Sequence, residues 1–162
     1  MSVVSNTSPL SHLSAIGKLE ILREIYGEIV VPPAVAEELA DRRQEHPLDV
    51  VVVPWIRVQS PIGPPPPTLS RFIHRGEEEA ITLAIEMGAE LLLIDERKGR
   101  EEARRLRVPI AGVLGILLTA RKRALIPSVA ELIERLDRET DFWMSEKLIR
   151  MILRAAGEAG DR

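Results

Sequence analysis

Four short segments each end an apolar run, or open a helix, with a group able to hold a metal ion. They are VVSN (Asn6), VVPPAVAEEL (Glu37 and Glu38), RGEEEAI (Glu77 to Glu79) and LLLID (Asp95). Groups this far apart in sequence meet when their strands are parallel and adjacent, because the carboxyl ends of such strands share one edge of the sheet. Carboxylates gathered there make a hard-oxygen cage of the kind Mg²⁺ or Mn²⁺ prefers. The first member is an amide, which keeps one oxygen donor and gives up a full charge.

The elements that must position these groups are legible from punctuation and periodicity. Val3-Val4 and Ile29 to Val31 read as short buried strands, and Leu91 to Ile94 is the clearest one. Pro9 after Ser8 reads as the first position of a helix capped by that serine, running to Gly17. A second helix covers Lys18 to Tyr26, and a third follows Pro32-Pro33. Val50 to Val58 is β-rich but contains Pro54, which predicts an edge strand or an irregular segment. PIGPPPP (Pro61 to Pro67) reads as stiff polyproline II rather than as a domain linker. Glu77 to Met87 is the clearest amphipathic helix. A charged helix at Arg97 to Leu106, a strand at Val108 to Ile110 and helices at 113–124, 128–138 and 145–156 complete the chain. Strands alternating with helices predict an α/β fold with a parallel sheet covered on both faces. One domain over 1–162 is expected, with a helical segment from about residue 127.

Composition bounds the chemistry. The chain has 162 residues, 45 % hydrophobic but only 3 % aromatic, so its core must be aliphatic. Net charge is −3, so any nucleic-acid binding must come from a local patch. There is no cysteine, which removes disulfides, thiolate ligands and thiol nucleophiles together. The N-terminus lacks the pattern of a signal peptide. The longest near-apolar run, Ile110 to Ala120, is about half the roughly 20 residues a membrane helix needs. The expectation is a soluble, cytoplasmic protein with no membrane contact.

Helical geometry ranks the acids, since successive side chains rotate about 100° around the axis. Val35 and Leu39 define a buried stripe, so Glu37 points away from it and Glu38 flanks it. Ile81, Ala84 and Ile85 define another, and Glu77 lies on that face one turn earlier, with Glu79 toward solvent. Simpler readings exist for each: first-turn acids favour the helix dipole, Asp95 could cap the following helix, and Asn6 could serve an Asx turn. An acid on an apolar stripe nevertheless requires a compensating environment.

SNTSPL, VVPPAVAEEL, GEEEAITLAIEMGAELLLIDER and GVLGILLTARKR, in this order and spacing, resemble the PIN-domain family, most closely a branch of small prokaryotic members described as predicted nucleic-acid-binding proteins. The resemblance runs from Val3 to about Ala124. It implies a three-layer α/β/α sandwich with a central parallel sheet, and a Mg²⁺- or Mn²⁺-dependent ribonuclease. It also implies a toxin of a toxin–antitoxin pair, with an RNA substrate, an antitoxin partner and a homodimer. Carried over by motif, the metal positions fall on Asn6, Glu38, Glu77 and Asp95, the last three also catalytic, with Ser8 as the nearby hydroxyl at the nucleic acid. The family often carries a further acid where Arg97 stands, so Asn6 and Arg97 both remove negative charge.

Arg97, Lys98 and Arg100, nearest the end of the LLLI strand, are the expected phosphate contacts. Arg104, Arg105 and Arg107 read better as a solvated helix face. Sparse aromatics argue for backbone rather than base recognition. His12, His46 and His74 show no partner pattern and are expected at the surface. The competing readings are a PIN-like fold retained only for binding, which Asn6 favours, and a phosphoacceptor receiver or dehalogenase-like protein, which the lack of a DxD disfavours. Dinucleotide binding fails for want of GxGxxG after the first strand.

Overall fold

The computed structural model describes residues 1–158. Short apolar segments build five strands: β1 (Val3–Ser5), β2 (Ile29–Val31), β3 (Ile56–Val58), β4 (Leu91–Leu93) and β5 (Ile110–Ala111). They pair in parallel in the order β3-β2-β1-β4-β5. Among the described residues eight α-helices surround this sheet: α1 (Thr7–Ala15), α2 (Glu20–Tyr26), α3 (Pro33–Ala40), α4 (Arg75–Met87), α5 (Arg97–Arg105), α6 (Val113–Lys122), α7 (Val129–Glu139) and α8 (Glu146–Ala155). This is the expected α/β/α arrangement.

The period-two geometry of a strand divides the core in two. Val3, Ile29, Val31 and Leu93 face one way, onto buried side chains of α1, α2, α6 and α7. Val4, Val30 and Leu92 face the other way, with Ala80, Ile81, Leu83 and Ala84 of α4. Leu10, Leu13, Leu22, Ile81, Leu92 and Ile116 are all fully buried, as an aliphatic core requires. Among the described residues no helix is long and apolar enough to cross a membrane.

Several local details depart from expectation. Helix α1 starts at Thr7 with Asn6 as its cap, two residues before the expected start, because the Ser8 hydroxyl is bonded to Glu96 instead. The last strand is confined to Ile110–Ala111, since Pro109 has no N–H and contributes only its carbonyl, which accepts from Leu92 N–H at 2.8 Å. The β-rich stretch is as expected: it gives a 3-10 turn at Val50–Val52 and the edge strand β3, with Pro54 between them. On α8, Ile149, Ile152 and Leu153 pack against the core, while Leu148 and Met151 are exposed.

Candidate active site

Strand order reverses direction at β1, whose neighbours are β2 on one side and β4 on the other, so a crevice opens beyond its carboxyl end. Asn6 is the first residue past that end and is 3 % exposed. Its backbone N–H continues the ladder, donating to Leu93 C=O at 2.8 Å. The next two residues each tie down an acid from another element. Thr7 Oγ1 donates to Glu38 Oε2 at 2.8 Å, and Ser8 Oγ donates to Glu96 Oε1 at 2.8 Å.

Glu38 sits in the last turn of α3, and Glu77 in the first turn of α4, where it is 4 % exposed. Two glycines let these acids approach. A Cβ at Gly76 would stand 3.0 Å from Glu38 Oε2 and 3.5 Å from Asn6 Oδ1. A Cβ at Gly99 would stand 3.0 Å from Glu77 Oε2. The result is a cleft of about 180 Å³ lined by Asn6, Thr7, Ser8, Glu38, His74, Glu77 and Glu96. Three of the four expected metal positions, Asn6, Glu38 and Glu77, thus border one space.

Asp95 is placed differently from expectation. Its carboxylate does not line the cleft; it turns toward the start of α6 and accepts from Val113 N–H through both oxygens, at 3.1 and 3.2 Å. The helix it serves is therefore α6 rather than the one that follows it in sequence. A Cβ at Gly112 would run into Asp95 Oδ1, so a side chain there would displace that carboxylate. The residue that does reach the cleft is Glu96, which sequence reasoning passed over because it does not itself end the strand.

Charge is unbalanced in this cleft. Burial, followed by the charge of Glu96, raises the Glu77 carboxyl above the usual carboxylate range; Glu38 adds to this, and His74 and Lys98 oppose it. Among the described residues no Lys, Arg or His lies within 4.0 Å of the carboxylates of Glu38, Glu77 or Glu96. Neighbouring acids that lack cations store repulsion that a bound cation would relieve. Oxygen donors of this kind, three carboxylates and an amide, fit a hard divalent ion. Among the described residues no three acids or histidines converge to ion-holding distance. The hydroxyls of Thr7 and Ser8 each hold one oxygen of Glu38 and Glu96, leaving the other oxygen of each carboxylate for an ion.

The expected phosphate contacts divide. Arg97 is 91 % exposed and pairs with Glu101 at 3.1 Å. Arg100 points inward, donating through Nη1 to Ile94 C=O at 2.8 Å, and burial lowers its guanidinium. It packs beside Asp95 under Gly112. Lys98 is exposed, and its charge acts on Glu77. Arg105 pairs with Glu102, in keeping with a solvated helix face. Glu79 is not free in solvent; it accepts from Arg75 Nε at 3.0 Å and from Ala34 N–H at 3.3 Å.

Two histidines are not simply surface residues. His12 lies largely buried against Phe142, with Nε2 3.0 Å from Asp141 Oδ1. His74, the cap residue of α4, lines the cleft. The signal available in the sequence was its position three residues before Glu77, on the segment that leads α4 into the site.

A parallel sheet in the order 3-2-1-4-5, with helices on both faces and an acid-lined crevice at its carboxyl edge, defines an α/β/α protein with a polar, anionic site. The family model described as "DUF3368: PIN domain" matches residues 2–158, and the chain belongs to that PIN-domain family. Among solved structures it is similar to a PilT N-terminus domain protein, SSO1118, from the hyperthermophilic archaeon Sulfolobus solfataricus P2. That likeness has a TM-score of 0.54 at 17 % identity and covers 90 % of this chain and 99 % of that one. At such identity it bears on the fold alone. No curated protein matches the chain.

Proposed function

We propose that this protein is a Mg²⁺- or Mn²⁺-dependent endoribonuclease of the PIN-domain type, with Asn6, Glu38, Glu77 and Glu96 around the ion and Asp95 supporting them from behind. The observation that carries this reading is the cleft itself: three carboxylates from three segments, with no ion-paired cation among the described residues, line one space with an amide oxygen where strand order reverses. When bound, such an ion supplies charge neutralisation at the phosphate and activation of water. The chain's own residues do the rest. Thr7 and Ser8 fix the orientation of Glu38 and Glu96. Burial and the neighbouring acids raise the Glu77 carboxyl, and a cation held beside it would offset that cost by favouring the carboxylate. Asp95 fixes the first turn of α6 against β4. Lys98 supplies positive charge at the mouth.

The proposal extends to a cytoplasmic toxin with an antitoxin partner, and to a homodimer. Exposed Leu148 and Met151 on α8 offer apolar surface for such contacts. A neighbouring gene for a small DNA-binding protein would support the toxin role.

One observation favours a second reading, a module that binds RNA without cutting it: an amide stands at position 6. The Asn6→Asp variant separates them. On the nuclease reading the wild type cleaves single-stranded RNA with Mn²⁺ and not with EDTA, and Asn6→Asp gains roughly tenfold in metal affinity and rate, as an added ligand charge allows. Equal affinity and equal rate in the two proteins would contradict the claim that Asn6 weakens the site. RNA binding without cleavage by the wild type in any divalent ion would establish the binding module.

A further inference from the structure

The acidic cleft does not stand alone. A second depression of about 440 Å³ lies between the end of α3 and the start of α4 and shares Glu38 and His74 with the cleft. Gly76 is part of its lining, and no side chain rises from Gly76 between the two spaces. Charges around this groove are matched except at Glu38: Arg75 lies 3.7 Å from Glu37 and 3.0 Å from Glu79, and Asp41 holds Arg43 at 2.8 Å. A furrow of that volume is in the size range of a small-ligand site.

His74 stands at the junction. It is exposed, makes no capping bond to α4, and has no acid within ion-pair distance among the described residues. Three arginines are committed elsewhere: Arg75 to Glu37 and Glu79, Arg97 to Glu101, Arg100 to the Ile94 carbonyl. An imidazole presents at least one ring N–H in either protonation state. We propose that His74 is a substrate-binding residue, whose ring N–H holds a backbone phosphate of single-stranded RNA where the strand passes from the acidic cleft into the α3–α4 groove. The role rests on the ribonuclease reading of the cleft and adds a donor and a direction for the strand to it.

The test compares the wild type with His74→Ala and His74→Gln on a fluorescent hexaribonucleotide, reading cleavage and, by anisotropy, affinity. Losing one charge-assisted bond to phosphate predicts that His74→Ala falls about tenfold or more in kcat/KM, mainly through KM, and that His74→Gln, which keeps an N–H donor, recovers most of it. Thermal melting should match the wild type, since the ring caps nothing. Cleavage and affinity of His74→Ala within about twofold of wild type would overturn the inference. Affinity that depends on His74 without any cleavage would support the inference and overturn the nuclease reading. A wild type that neither binds nor cuts the hexamer would overturn both.

Discussion

At Asp95, environment and not position along the strand sets what the carboxyl does. Its carboxyl is pushed up to about 6 from 3.8: burial raises it more than the Val113 N–H bonds, His12 and Arg100 lower it. An acid whose folded pKa is raised keeps its proton in the native state after the unfolded chain has lost it. Its contribution to stability is therefore fully present below pH 3.8 and is lost as pH rises to about 6. Asp95→Asn keeps an oxygen acceptor for Val113 and removes the titration. Urea unfolding in EDTA, from about pH 4 to about pH 7, should show the wild type losing on the order of 1–2 kcal/mol relative to the variant, allowing for solvent screening. Parallel pH profiles for the two proteins would show that Asp95 does not titrate in this window. The same residue scale explains what Asn6 changes: an amide oxygen remains a ligand but adds no charge to a cleft where Glu38, Glu77 and Glu96 already repel one another.

At the scale of elements, the first turn of α1 is the clamp of the site, because Thr7 and Ser8 reach acids on α3 and after β4. The start of α4 is the wall that must come close, and Gly76 allows it. Gly76→Ala should gain helix propensity and hold stability within about 1 kcal/mol of wild type. Its new Cβ would displace the Glu38 carboxylate, so Mn²⁺ affinity should fall about tenfold; calorimetric titration beside a thermal melt checks both. Unchanged affinity would mean that Glu38 does not ligate. Strands β1, β2 and β4 were legible in the sequence because central parallel strands are apolar on both faces, and VV, IVV and LLLI announce that. That Glu38 and Glu77, rather than Glu37 and Glu79, border the cleft follows from helix geometry, which fixes the face each residue takes. The true reach of Asp95 was not legible, since it depends on β5 pairing with β4 and presenting the amide of Val113, a contact between residues eighteen apart. Glu96 and His74 escaped for a related reason: each lies in a turn, where backbone conformation and not periodicity aims the side chain.

Over the whole molecule, electrostatics limits how this protein can hold RNA. Net charge is −3, the cleft is acidic, and most arginines near it are already paired. Few phosphates can be neutralised at once. The affinity for a short RNA should therefore fall gently with salt, with a log–log slope of about −1 to −2; anisotropy titrations across a salt series read this directly, and a much steeper slope would reveal a basic surface elsewhere on the fold. The central claim is that the crevice beyond β1 holds a divalent ion through its carboxylates. Calorimetric titration of Mn²⁺ into the wild type and Glu77→Gln tests it most directly, since glutamine keeps the shape of the side chain and removes its charge. The account predicts a saturable site in the wild type and affinity reduced by roughly tenfold or more in Glu77→Gln, with the fold intact. Equal Mn²⁺ binding by the two proteins, or none by the wild type, would contradict it.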